Sequence, residues 1–197
     1  MADAGRVIAG SAKGVRLRAP GPATRPLADR VKQTLFAILE PELEGAVVLD
    51  LFAGSGAGGI EALSRGAARA VFVEKDPDAS RVIEENLRST GVADRALRVR
   101  GDAERWLAGG AREVAPFGIV IVDPPYAETE VLRRVLDRLG ADDAPLLRDA
   151  RVVAKHFWRD RPPERVGRLA VERERRFGET ALTFYRRTGE PVVPSDG

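Results

Sequence analysis

The chain has 197 residues, 44% hydrophobic and 31% charged, which is the size and balance of a soluble domain with a core of its own. It has no cysteine and one histidine, His156, which excludes disulfides, iron–sulfur clusters, thiol nucleophiles and any metal site needing two histidines. The net charge of +2 is unevenly spread: +5 over residues 1–32, −7 over 33–147, +6 over 148–187 and −2 beyond.

Nearly all the basic charge is arginine, which suits bidentate phosphate contacts and stacking on bases. Two basic chain ends folded onto one face would attract a polyanion; the plainer alternative is a solvated surface. The longest aliphatic run, Ile119–Val122, is far short of a membrane span, and the N-terminus lacks the basic-then-apolar layout of a signal peptide. The expectation is a soluble, cytoplasmic, monomeric protein with neither a membrane nor a metal partner.

Arg6–Ala9 and Val15–Ala19 are predicted as short strands of a hairpin around residues 11–14. Three prolines in Pro20–Pro26 exclude regular structure there. From Leu27 onward, Val31, Leu35, Ile38 and Leu39 follow helical spacing, with Pro41 expected to end the helix. Strand and helix then alternate. Ala46–Phe52 is a strand, followed by a glycine-rich turn and a helix to about Arg65; Ala70–Val73 is a strand and Pro77–Thr90 a helix stopped by Gly91. Ala96–Arg100 is a strand, Ala103–Leu107 a short helix, Gly118–Val122 a strand, Glu128–Leu139 a helix ended by Gly140, and Ala150–Ala154 a strand. Leu169–Arg175 and Thr180–Arg186 close the set as an antiparallel pair.

Near-continuous aliphatic strands separated by helices define an α/β fold, a doubly wound, Rossmann-like and mostly parallel sheet covered on both faces. The expected organisation is a hairpin-and-helix extension over residues 1–40, a main domain over 41–187 and a frayed tail over 188–197.

Gly54, Gly56 and Gly59 satisfy G-x-G-x-x-G where the first long strand runs into a helix, so the backbone can turn sharply and approach a ligand. Glu74, eighteen residues past Gly56, stands where a carboxylate would hold ribose hydroxyls. A dinucleotide would put its pyrophosphate over this loop, and Asp50, at the end of the strand, would repel it. A cofactor that is cationic there, as S-adenosylmethionine is at its ammonium and sulfonium, fits the charge better. Asp102, in Gly101-Asp102-Ala103 after the third long strand, could accept a proton of an adenine amine, or simply cap the helix that follows. The candidate cofactor residues are Asp50, Phe52, Ala53 and Gly54, with Ser55 and Gly56 in the loop, Glu74 and Lys75 after the next strand, and Asp102 and Ala103 after the third.

The most specific feature is Ile119-Val-Ile-Val-Asp-Pro-Pro-Tyr126. Two prolines stiffen the turn and remove two donors, leaving bare carbonyls. A carboxylate, a carbonyl and a flat aromatic within four residues suit an exocyclic amine on a planar ring. Asp123 and the Pro124 carbonyl can accept the amine hydrogens and free its delocalised lone pair, Pro125 keeps the turn rigid, and Tyr126 can stack on the ring. Catalysis then comes from positioning and electrostatics. If the strands ending at Leu51 and Val122 are neighbours, the two loops face each other.

Together these residues resemble a class I S-adenosylmethionine-dependent methyltransferase, and more closely the RsmD family of 16S ribosomal RNA (guanine-N2) methyltransferases. The likeness runs from Arg6 to about Arg186 and includes Arg6–Gly14, Thr24-Arg-Pro26, Asp29-Arg-Val31, Leu49–Gly56, Ile60–Ala67, Phe72–Asp76 and Asp123–Tyr126. It implies methylation of one guanine amine in the small ribosomal subunit or an assembly intermediate. Lys13, Arg16, Arg18, Arg25 and Arg30 would face the RNA. Two positions depart from the family pattern. Gly58 replaces a larger aliphatic, and Lys155-His156 stands where an acidic residue often follows the strand, with His156 expected at the surface or on the substrate side. Adenine-N6 and protein-glutamine methyltransferases share the Asp-Pro-Pro-Tyr motif and its variants. A non-catalytic RNA-binding assembly factor and an NAD-linked oxidoreductase are the alternatives of other classes.

Overall fold

The structure is a computed structural model that describes residues 3–21, 29–114, 116–125 and 129–189. Its first hairpin pairs β1 (Asp3–Arg6) antiparallel with β2 (Arg16–Arg18). The first strand lies earlier than the expected Arg6–Ala9 and the second is trimmed at both ends; Val7 still bonds across to Val15 and Gly14, while the residues after it also bond outward. Ile8 and Ala9 donate their N–H groups to the Glu61 carboxylate at 2.8 and 3.1 Å, and Ala12 donates to the Ser64 hydroxyl at 2.9 Å. That hydroxyl donates in turn to the Ala9 carbonyl at 2.6 Å. Gly10 lies flat on this surface: a Cβ there would stand 1.8 Å from the Ser64 carbonyl oxygen.

Helix α1 (Asp29–Leu43) runs through Pro41 and does not stop at it. The proline forgoes one backbone bond in the final turn, beyond which Leu43 is fully buried. β3 (Val47–Leu51), α2 (Ala57–Ser64), β4 (Arg69–Glu74), α3 (Pro77–Thr90) and β5 (Ala96–Arg100) follow as strand–helix alternation. The three strands are parallel in the order β5-β4-β3, with Val48 opposite Ala70 and Val71 opposite Leu97. α3 matches its predicted bounds. Asp76 accepts the N–H groups of Asp78 and Ala79, Pro77 sits in the first turn, and Gly91 closes the helix at φ +69°.

The chain divides into two compact units, the first running to Ala103 and the second starting at Glu104. After α4 (Ala103–Ala108) come β6 (Phe117–Val122), α5 (Thr129–Gly140), β7 (Leu146–Phe157), β8 (Arg165–Val166), β9 (Leu169–Phe177) and β10 (Thr180–Arg187). In the second unit the strands run β6-β7-β10-β9-β8. β6 and β7 are parallel and the rest antiparallel, as expected of a mostly parallel sheet that ends in an antiparallel pair. β7 is far longer than Ala150–Ala154, because β10 supplies partners as far as Phe157 whatever the side chains. β8 was not expected; Gly140 and Gly167 let its turn touch the end of α5, where a Cβ on Gly140 would lie 2.2 Å from the Val166 carbonyl oxygen. Among the described residues no helix is long and apolar enough to cross a membrane.

Replacing Ser64 with alanine leaves the Ala12 N–H and the Ala9 carbonyl without that partner. The expected loss of stability is about 1–3 kcal/mol in urea unfolding, with local hydrogen exchange at Ala12 accelerated.

Candidate active site

The glycine loop lies at the carboxyl ends of β3, β4 and β5, all within the first unit. Its amides are held by two carboxylates. Gly54 donates its N–H to Glu74 Oε2 and Gly59 donates to Asp50 Oδ2, each at 2.8 Å. The other Glu74 oxygen accepts the Asp76 N–H at 2.8 Å. Gly56 donates to the Ala53 carbonyl at 2.7 Å, and Ala53 to the Val73 carbonyl at 3.1 Å. Gly54 and Gly56 have φ of +56° and +77°, which glycine adopts freely. Phe52 is the one non-glycine residue with positive φ, at +60°, among the described residues. Strain of that kind collects where a ligand is gripped. Gly59 serves packing instead: a Cβ would stand 2.3 Å from the Phe72 ring.

Asp50 accepts the Gly59 amide and keeps its negative charge behind the glycine turn. It is 3% exposed and caps the first turn of α2 from behind the loop, a favourable place for a negative charge. Glu74 is half-buried, and each of its oxygens keeps a lone pair for a hydroxyl donor. Lys75 is exposed at the end of β4. Asp102 and Ala103 sit where β5 gives way to α4, beside Glu74, whose carbonyl accepts the Gly101 N–H at 3.0 Å. This set of groups fits S-adenosylmethionine: carboxylates for hydroxyls, an amine and a cation, with the amides of Ala53, Gly54, Gly56 and Gly59 already bonded within the protein.

The sequence reading missed Asn86, a buried amide on the inner face of α3. Its Oδ1 accepts the Arg18 N–H at 2.8 Å, and its Nδ2 donates to the Arg18 and Ser55 carbonyls, each at 2.9 Å. It ties β2 to the glycine loop, and Ser55 is buried beneath that bond. An asparagine inside the apolar stripe Ile83–Leu87–Thr90 was the available signal. Of the residues expected to face RNA, Lys13, Arg16, Arg18 and Arg30 are exposed, while Arg25 lies outside the described residues. Arg16 pairs with Asp3 and Arg18 with Glu85, both at 2.7 Å.

In the second unit, β6 delivers Asp123 to its carboxyl end, followed by a buried Pro124 and an exposed Pro125. Tyr126, expected to stack on the acceptor, lies outside the described residues. Lys155 on β7 reaches both Asp123 oxygens, at 2.7 and 2.9 Å. Burial pushes the Asp123 carboxyl above the ordinary carboxylate range, and the Lys155 ammonium opposes it. Each oxygen keeps lone-pair capacity beyond the lysine bond.

His156 is not at the surface. It is 4% exposed, with Nδ1 2.8 Å from the Phe157 carbonyl and Nε2 2.9 Å from the Thr183 hydroxyl, and burial lowers its pKa. Pro124, Pro125, Thr129, Leu132, Lys155, His156, Phe157 and Asp160 line a shallow, open pocket beside the motif. The sequence placed Lys155 only as a departure from a family pattern; its bond to Asp123 needed the register of β6 against β7, where Val122 faces Ala154.

This is the fold of the class I S-adenosylmethionine-dependent methyltransferases. A family model described as Conserved hypothetical protein 95 matches residues 5–186. Among curated relatives, "Putative rRNA methyltransferase YlbH" of Bacillus subtilis (strain 168) is 39% identical, covering 93% of this chain and 100% of its own. Ribosomal RNA small subunit methyltransferase D of Escherichia coli (strain K12) is 36% identical, covering 97% and 94%. The solved structure of yhhF from Escherichia coli superposes with a TM-score of 0.83 at 34% identity, covering 94% of this chain and 98% of that one. The chain belongs to this family, that of the RsmD methyltransferases.

In Lys155→Met, burial of Asp123 is no longer opposed, so its carboxyl should titrate at higher pH, while Lys155→Arg restores it. Carboxyl-carbon NMR of Asp123 reads this directly; an unmoved titration would contradict the coupling.

Proposed function

We propose that the protein transfers a methyl group from S-adenosylmethionine to the exocyclic N2 amine of one guanine in 16S ribosomal RNA, carried in the small subunit or an assembly intermediate. The observation that carries this reading is the Asp123 carboxylate, fixed by Lys155 and followed by two prolines at an open pocket. Membership of the RsmD family supports it.

A guanine amine is a poor nucleophile because its lone pair is delocalised into the ring. Asp123 accepts one of its hydrogens and the Pro124 carbonyl the other, which favours the pyramidal amine, while Pro125 keeps the turn rigid. Tyr126 stacks on the base and fixes the direction of the lone pair. When bound, S-adenosylmethionine supplies a methyl carbon made electrophilic by the adjacent sulfonium. Phe52, Ala53, Gly54, Ser55 and Gly56 shape the cofactor's cradle over Asp50. Glu74 takes the ribose hydroxyls with Lys75 beside it, and Asp102 with Ala103 receives the adenine. The alkylated amine is strongly acidic and gives up a proton; Asp123, beside Lys155, is the acceptor at hand. Lys13, Arg16, Arg18, Arg25 and Arg30 meet RNA phosphates, and the protein acts as a cytoplasmic monomer.

Nucleoside mass analysis of small subunits treated with the protein and S-adenosylmethionine is expected to yield N2-methylguanosine. Methyl on adenine N6 or on protein glutamine would point to the other acceptors of this motif. Asp123→Ala is expected to lower kcat about 10²–10³-fold with S-adenosylmethionine affinity retained. Full retention of turnover would contradict the role given to Asp123, and no label on any acceptor would favour a non-catalytic assembly factor.

A further inference from the structure

Phe157 and Asp160 line the pocket beside Asp123, and Trp158 and Arg159 are the two residues between them in the chain. The turn that carries them is pinned at both ends. The Trp158 N–H donates to the Glu179 carbonyl and the Asp160 N–H to the Phe157 carbonyl, each at 3.0 Å. Two guanidinium groups lie over the half-buried Trp158 ring, Arg176 at 3.6 Å and Arg159 at 4.9 Å from its centroid. Arg176 also donates Nε–H to the Gly178 carbonyl at 2.9 Å, which fixes the plane of its guanidinium.

Neighbouring arginines are neutralised: Arg161 pairs with Glu174 at 2.8 Å and Arg151 with Glu172 at 2.7 Å. Among the described residues Arg159 and Arg176 form no ion pair, and both are exposed. Two cations are thus held on an aromatic ring one residue along the chain from the pocket-lining Phe157, within a segment, residues 148–187, carrying twelve Lys/Arg against six Asp/Glu.

We propose that Trp158, Arg159 and Arg176 form a docking platform for the RNA strand on either side of the target base. This inference rests on reading the Asp123 pocket as the acceptor site, because a base placed there has its own phosphates one backbone step away. A guanidinium stacked on indole is pre-ordered, so its outer face can receive a flanking base and its in-plane N–H groups can receive phosphate oxygens at little entropic cost. An acidic protein segment would use the charge but leave the planar stacking surface without a partner, so RNA is the better fit. The basic ends of the chain then have unequal parts: Arg16 and Arg18 on β2 already have acidic partners, whereas among the described residues Arg159 and Arg176 do not.

The test is the affinity of the full-length protein, with S-adenosylhomocysteine present, for small ribosomal subunits from cells lacking this gene, measured against salt concentration. For Arg159→Ala with Arg176→Ala, the dissociation constant should rise about tenfold or more at 0.1 M salt, and the slope of log K against log salt should fall by about 1.4, two single-strand phosphate contacts. Arg176→Lys keeps the charge and loses the planar stack; it should retain the slope yet bind about fivefold or more weakly. Affinity for S-adenosylhomocysteine and the melting temperature should match the parent, which separates a docking effect from misfolding. Equal affinity and equal slope in the double variant would overturn the platform. So would displacement of the parent protein by a polyglutamate peptide as readily as by RNA. Methyl transfer by the parent protein is followed on the same subunits. If it methylates them while the variants bind as it does, the platform alone is wrong; if it methylates nothing, the reading of the acceptor site fails.

Discussion

The amides of Gly54 and Gly59 donate to Glu74 and Asp50, and the rest of the first unit's site is arranged around those two bonds. Each carboxylate closes one side of the turn between β3 and α2. With the turn closed, Phe52 is held at positive φ, Gly59 presses against Phe72, and Asn86 can reach the Ser55 carbonyl. The electrostatic consequence follows directly. A glycine loop whose amides are free and uncharged is a receptor for phosphate, whereas one whose amides are spent on carboxylates repels phosphate and welcomes a cation. The same G-x-G-x-x-G spacing serves either chemistry, and the acids behind it decide which.

Glycines, prolines and caps were legible where their effect is local. Asp76, Pro77 and Gly91 bound α3 in the sequence as they do in the structure, because each satisfies or removes particular backbone donors at a helix end. Pro41 misled for the opposite reason: the helix runs on through it to Leu43, whose burial is a tertiary quantity. The length of β7 was hidden because its first residues are mostly exposed and polar, and strand form there is imposed by neighbours in the sheet.

At the sites, residue type was legible and residue role was not. Asp50 and Glu74 were recognised as acids near the loop, but the spacing could not show that their oxygens accept loop amides. His156, expected at the surface or on the substrate side, is buried, lines the pocket and bridges to Thr183 across β7 and β10. Asn86 and Lys155 gave weaker signals still, since each acts across strands or helices far apart in the chain.

The second unit shows the complementary arrangement. Its key carboxylate is paired with a lysine, which opposes the burial that raises the Asp123 pKa. The lysine at position 155 thus bears on what the neighbouring aspartate can do.

The most direct measurement of the loop's selectivity is calorimetric titration of the protein with S-adenosylmethionine and, separately, with NAD. The account predicts saturable binding of S-adenosylmethionine at one site per chain, weakened in Glu74→Gln, and no measurable heat with NAD. Tight binding of NAD, or NAD affinity equal to that for S-adenosylmethionine, would contradict it.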